Sequence, residues 1–279
     1  MVDFWRYELI PKRRLNAVAD AGPRYGALIR VDGGVADVHP WPELGDLPLD
    51  EQLARLARGE TTLLTEASLE FASIDAAARR DRRSLFDGLT IPPSHWPGPD
   101  PPAVFDTVKL KNIDVIPDRV RLRIDFNATL SADEFVRIAA TLPHERIDFI
   151  EDPCPYNASI WRELRAKTGL RLALDRRGSS SEADSYDVLI VKPALDKIPC
   201  TNAEIVVTSY MDHPIGQLCA AYAAATAGTK STCGLITHVL FENDPFIERM
   251  RIDGTRLVPP EGTGWGFDDL LEKLPWLEV

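Results

Sequence analysis

Six ionic side chains close short apolar runs, and their order along the chain is Lys, Lys, Asp, Glu, Asp, Lys. Lys109 and Lys111 close TVKLK, Asp125 ends RLRID, Glu151 ends IDFIE, Asp175 ends LRLALD and Lys192 ends VLIVK. Three carboxylates brought within a few ångströms repel one another and would partly protonate at neutral pH, a difficulty that a divalent cation removes. Oxygen ligands without imidazole or thiolate suit Mg²⁺, which keeps positions open for water or substrate. A free lysine titrates near about 10.4 and is a poor base at neutral pH. A neighbouring Lys109 and a nearby metal ion both disfavour the charged form of Lys111 and lower that value. Two lysines on opposite sides of a metal suit removal of a proton beside a carboxylate. One takes the proton, while the metal and the other cation stabilise the enediolate.

Such a set needs elements that bring distant residues together. Side chains alternate across a strand, so Lys109 and Lys111 share one face and Leu110 turns to the outer layer. The same parity puts Arg123 on the face of Asp125, where it either holds a substrate carboxylate or pairs with an interior acid. Asn127, two residues after Asp125, reads as a support for the metal site. Helical stretches such as SADEFVRIAATLP and SIWRELRAKTG lie between the apolar runs, the pattern of parallel strands joined by crossovers. In a closed parallel barrel one end of every strand opens onto a single face, so ionic strand ends converge there. The steps from Lys111 to Asp125, Glu151, Asp175 and Lys192 are 14, 26, 24 and 17 residues, one βα unit each with some units short.

The N-terminal part reads as α+β. YGALIRV and GVADVHP are strand-like and flank the turn Asp32-Gly33-Gly34, and helical spacing runs from Asp50 to about Arg83. IPPSHWPGPDPP, with six prolines in twelve residues, reads as an interdomain linker or a long connection. The fold class expected is α/β, a modified (β/α) barrel with shortened or missing helices under an α+β capping domain. The division is 1–84 for the cap, 85–245 for the barrel, and 246–279 for a segment packing back on either.

The 279 residues carry a formal net charge of −11, with 44% hydrophobic residues, enough for one large domain or two smaller ones. The acidic balance argues against nucleic acid or an anionic membrane as partner. CAAYAAATAG, the most suspicious apolar run, falls short of the roughly 20 residues of a membrane span and reads as a packed helix. MVDFWRYELIPKRR lacks the apolar centre of a signal peptide. The cysteines at 154, 200, 219 and 233 show no metal-type spacing and read as free thiols in a reducing cytoplasm. The five histidines form no HxE or HxxxH pair, and no glycine-rich loop is present to cradle a phosphate. His213 and His238, after the late strands, are read as surface residues or as borders of the pocket.

KLK at 109–111, IDFN at 124–127, IEDPCP at 150–155, LALD at 172–175 and IVKPA at 190–194 together resemble the enolase superfamily, in its muconate-lactonizing subgroup. EDPCP, VKP and the late stretches VVTSYMDHPIGQLCAAYAA and TCGLITHVLFEND are most similar to the o-succinylbenzoate synthases. YGALIRVDGGVADVHPWPELGD is similar to the capping-domain hairpin that brings a substrate-covering loop. The resemblance implies Mg²⁺ held by Asp125, Glu151 and Asp175, and a dehydration of 2-succinyl-6-hydroxy-2,4-cyclohexadiene-1-carboxylate to o-succinylbenzoate in menaquinone biosynthesis. Lys111 would be the base and Lys192 the cation on the other face of the ring. Lys109, Arg123, Ser209 and Gly234 would contact substrate or shape the pocket.

There are departures from that pattern. Nine residues separate Lys111 from Arg121, too few for a crossover helix, and the Pro-rich 91–102 stretch replaces another. Asp175 is followed by Arg176 and Arg177 where the family carries a further acid. Rival readings are an N-acylamino-acid racemase or dipeptide epimerase using the same lysines, and a non-catalytic barrel of this lineage. Dipeptide epimerases of this group carry a DxD motif on the last strand, and STCGLITH has no acid.

Overall fold

Asp32 and Gly33 form the first turn. The computed structural model describes residues 2–15, 21–175 and 184–278, and in it Val31 pairs with Gly34, leaving a two-residue loop. Both loop residues have positive φ, 51° and 85°, as a type I′ hairpin turn requires. Strands β1 (Val2–Leu9), β2 (Arg24–Val31) and β3 (Gly34–Val38) form an antiparallel sheet. Helices α1 (Leu49–Ala57) and α2 (Leu63–Arg80) pack Leu53, Leu56, Leu64 and Ala72 into its core. Thr62 and Thr65 cap α2 reciprocally. Gly34 must be glycine, because a Cβ there would stand 2.0 Å from the Ala72 carbonyl oxygen of α2.

Beyond the cap, β4 (Thr107–Leu110), β5 (Arg121–Asp125), β6 (Ile147–Glu151), β7 (Leu172–Leu174), β8 (Val188–Val191) and β9 (Glu204–Val207) pair in parallel and in chain order. Single bridges carry the pairing round the rest of the ring: Trp96 with Val108, Ser94 with Cys233, and Thr208 with Gly234. The Pro-rich stretch is therefore no linker, since it contains the first stave of the barrel. Pro93 and Pro97 cannot donate to a ladder, which reduces this stave to isolated bridges. The stave keeps the hydrogen bonds it can make, with His95 N donating to Cys233 O at 2.8 Å and Lys109 N to Trp96 O at 2.8 Å.

Phe149, Ala173, Val188, Ile190 and Val206 fill the interior of the ring. Ile124, Ile150 and Leu172 face outward against Phe135 of α3 (Ala132–Ala139) and Trp161 of α4 (Ala158–Thr168). Helix α5 (Pro214–Thr226) contains most of the alanine-rich run, largely buried. Among the described residues no helix lies between β4 and β5, between β8 and β9, or between the first stave and β4. The helices expected to be missing around β4 are thus absent on one flank, and a further gap after β8 lies on the opposite wall.

The chain then returns to the cap. After the hairpin β10 (Arg251–Asp253) and β11 (Arg256–Val258) and the short α6 (Asp268–Leu271), β12 (Leu277–Glu278) pairs with β1. Buried Trp265 donates from Nε1 to Val35 O at 2.7 Å and from its backbone N to Asp75 Oδ1 of α2 at 2.8 Å. No described helix is long and apolar enough to cross a membrane. The four cysteines are free thiols, with Cys200 exposed.

Candidate active site

Asp125 and Glu151 are register partners on adjacent strands, and Asp175 stands two residues beyond Ala173, the partner of Glu151. The three acids therefore come from consecutive staves at the same end of the ring. Lys109 reaches between two of them, 2.6 Å from Glu151 Oε1 and 3.1 Å from Asp125 Oδ2. Lys111 pairs with Asp125 Oδ2, and Lys192 with Asp175 Oδ2. Counting the bridged segments as staves, β4 is second and β8 sixth of eight, so Lys111 and Lys192 rise from opposite walls.

Burial decides the electrostatics. Glu151 is 0% and Asp125 2% exposed. Burial, then the Asp125 charge, pushes Glu151 up to about 7. Burial also works against the charge on Asp125, but the Lys111 and Lys109 ammoniums hold that carboxyl below the usual range. Burial opposes the charge on Lys109 too, yet Glu151 and Asp125 outweigh it and raise its pKa. Asp152, the residue after Glu151, is raised by burial and then by Asp175, Asp125 and Glu151, and it accepts from Asp175 N at 3.2 Å.

Such a density of acid fits a divalent cation in one respect and is already balanced in another. Glu151 Oε2 is buried with no hydrogen-bond partner, an orphaned hard oxygen of the kind Mg²⁺ takes. Among the described residues, however, no three acid, imidazole or thiol groups stand gathered as a ready ligand set. Lys109 occupies the space between Asp125 and Glu151 instead.

Above this floor lies a cavity of about 360 Å³, lined on opposite sides by Lys111 and Lys192, with Lys109 and Asp175 among its walls. Arg13 from the cap segment reaches its mouth, donating to Pro97 O at 2.5 Å. Ser209 and Gly234 line the cavity at the ends of their staves. Ser209 Oγ shares a 2.6 Å hydrogen bond with Thr237 Oγ1, and Gly234 leaves room that a Cβ would take from Thr208 and His95. Asn127 also lines it and donates from its backbone N to Asp125 Oδ1 at 2.9 Å, fixing that carboxylate.

Of the two roles expected for Arg123 the ion pair with an interior acid is the one found, and the readings of His213 and His238 need correction. Arg123 faces inward but does not line the cavity, and its guanidinium is committed elsewhere. It donates from Nε to Asp148 Oδ2 at 2.8 Å and from Nη1 to Thr232 O at 2.7 Å, with its face over Phe149 at 4.6 Å. The register slips between Leu122 and Arg123, so Asp148 has no cross-strand partner and its carboxylate meets the arginine. His213 and His238 are neither surface residues nor cavity residues. His213 Nδ1 accepts from Ile215 N at 3.2 Å to cap α5, and His238 Nδ1 lies 2.9 Å from Gln217 Nε2. Arg176 and Arg177 lie outside the described residues. No spacing in the chain marks His95, Thr208 or Thr237 as cavity residues, because His95 sits on a stave reduced to bridges, Thr208 follows the end of β9 and Thr237 opens a short helical turn.

Residues 2–78 match the family described as O-succinylbenzoate synthase, N-terminal domain, and residues 76–197 the family described as Enolase C-terminal domain-like. An o-succinylbenzoate synthase of Bdellovibrio bacteriovorus is 34% identical over all of this chain and 98% of its own. The chain is an enzyme of the o-succinylbenzoate synthase family. That family belongs to the enolase superfamily, and the solved structures agree in fold. A muconate lactonizing enzyme from Pseudomonas fluorescens superposes with a TM-score of 0.77 at 16% identity, covering 95% of both chains. A dipeptide epimerase from Cytophaga hutchinsonii, complexed with Mg and D-Ala-L-Val, reaches 0.75 at 16% identity over 99% of this chain and 98% of its own. Within this family the opposed lysines over a carboxylate floor take on a specific chemical sense.

Proposed function

We propose that this chain dehydrates 2-succinyl-6-hydroxy-2,4-cyclohexadiene-1-carboxylate to o-succinylbenzoate, a step of menaquinone biosynthesis in the cytoplasm. The observation that carries the reading is the pair of amines, Lys111 and Lys192, on opposite walls of a cavity floored by carboxylates. The proposed partner is a small carboxylate, and despite the acidic chain the cavity lining is rich in cations, Arg13, Lys109, Lys111 and Lys192. That lining attracts a doubly anionic substrate.

Asp125, Glu151 and Asp175 would hold Mg²⁺, which when bound supplies positive charge against the substrate carboxylate and acidifies the adjacent carbon. The remaining work falls to the chain. Lys111, neutral when it acts, takes the proton from the carbon beside the carboxylate onto Nζ. The resulting ammonium passes that proton to the departing hydroxyl, so the C–O bond breaks, water leaves and the ring becomes aromatic. Lys192 stays cationic against the other face of the ring, a contact worth about 1–2 kcal/mol when desolvated. Arg13 and the cap segment lie across the mouth and limit the access of water.

The test supplies the cyclohexadiene substrate to the protein with and without Mg²⁺ and follows the aromatic product by absorbance. Product should appear only with the metal, and no product under either condition would remove the proposal. Optical rotation of N-succinyl amino acids under the same conditions separates the racemase reading, which requires it to change.

A further inference from the structure

His95 has no part in the chemistry above, yet it borders the cavity from the first stave. The residue is 4% exposed, and one of its ring nitrogens is fixed from behind. Arg123 Nη1 lies 3.0 Å from His95 Nδ1. A guanidinium has no acceptor, so Nδ1 must accept. Burial, then the Arg123 charge, lowers the pKa of the ring and keeps it neutral. The single proton of a neutral ring that accepts at Nδ1 belongs to Nε2.

Arg123 cannot turn away from this task. Asp148 and the Thr232 carbonyl take its other hydrogen bonds, and the Phe149 ring supports its face. Nε2 of His95 has no partner among the described residues. The edge carrying it lies against Gly234, where a Cβ would come within 3.1 Å of Nε2, and both residues line the cavity. That N–H opens onto the cavity and has a donor's proton to offer, so it is suited to an oxygen that arrives with the ligand.

We propose that His95 Nε2–H is a specificity-determining donor to a carboxylate or carbonyl oxygen of the bound substrate, held in that tautomer by Arg123. The inference rests on the carboxylate reading of this cavity. It adds a neutral donor at the first stave to the cations of the other walls, and it gives Gly234 a reason beyond space, since a side chain there would cover the imidazole edge.

The probe is o-succinylbenzoate, titrated into the full chain with Mg²⁺. Nitrogen-correlated NMR of the histidine rings should show His95 with its proton on Nε2, and that proton should move downfield on addition of the probe. His95→Phe should weaken probe binding and raise KM by about 10- to 100-fold, the range expected for a lost buried hydrogen bond, with a smaller change in kcat. His95→Gln, which keeps an N–H donor, should stay much closer to the parent in both. Equal binding by the parent protein and His95→Phe, or a His95 signal that the probe leaves unmoved, overturns the inference alone. A parent protein that binds no probe and turns over no substrate overturns the reading of the site and this inference with it.

Discussion

Lys109 donates to Glu151 Oε1 at 2.6 Å, so the lysine assigned by sequence to the substrate serves first as counter-ion to the most buried acid of the site. Removing one partner of a buried pair leaves an uncompensated charge, at a cost of about 3–5 kcal/mol. Lys109→Met should therefore lower the thermal midpoint of the metal-free protein markedly. Mg²⁺ should recover more of that loss in the variant than it adds to the parent, because a ligand that binds only the folded state stabilises it by mass action. Thermal unfolding with and without Mg²⁺ measures both. A midpoint drop of the same size in both conditions would show that Lys109 does not balance the acids proposed to hold the metal.

Lys111 and Lys192 line the cavity as Lys109 does, but each pairs with a single carboxylate, whereas Lys109 spans two. Lys111→Ala and Lys192→Ala should accordingly fold with little change in thermal midpoint. Each should lower kcat by about 10²–10⁴-fold, the range for a lost general base or charge stabiliser. Product absorbance under saturating substrate is the measurement. A Lys111→Ala variant with the parent's kcat would take the base away from that residue.

Much of this site could be read from the chain because strand parity is a strict rule. Lys109, Lys111, Asp125, Glu151 and Asp175 each end an apolar run, and period-two alternation sends such residues to one face. The Asp32-Gly33 turn was equally legible, since few dipeptides accept positive φ at both positions. Legibility failed where structure departs from period. The first stave is reduced to bridges at Ser94 and Trp96 by the prolines on either side, so His95 looked like part of a linker. The slip at Asp148 that engages Arg123 leaves no trace in hydrophobic spacing. His213 went inside because its ring accepts from the first turn of α5, a local hydrogen bond that composition cannot announce.

Gly234 tests the shape of the cavity. An added Cβ would stand 2.9 Å from Thr208 Cγ2 and 3.0 Å from His95 Cε1, contacts that require both side chains to move. Its φ lies outside the left-handed region, so Gly234→Ala adds bulk without backbone strain. Overpacking of this size costs about 1–3 kcal/mol, and the displaced atoms belong to the cavity wall. The expected result is a fall in kcat/KM of about tenfold, carried mainly by KM, with the fold retained. Unchanged kinetics would mean that substrate does not reach this side of the cavity.

The junction of cap and barrel should make stability depend on pH. Tyr7 Oη donates to Asp37 Oδ1 at 2.6 Å, and His213 N donates to Asp37 Oδ2 at 3.1 Å. Asp212 Oδ2 accepts from Tyr210 N at 3.3 Å, and its Oδ1 is buried without a partner. Burial pushes Asp212 up to about 7, while burial and then the Asp212 charge raise Asp37. An unfolded aspartate titrates near about 3.9. Between that value and about 7 the folded chain holds a proton that the unfolded chain has released, so the Asp212 contribution weakens as pH rises through this window and levels off above it. Asp212→Asn removes the titration but keeps an oxygen for Tyr210 N. The stability of the parent relative to this variant should fall with rising pH by up to about 1.4 kcal/mol per unit, then stay flat. Urea unfolding of both proteins from about pH 5 to about pH 8 reads the difference directly. Parallel curves across that range would mean that Asp212 already carries its charge in the folded state at the acid end.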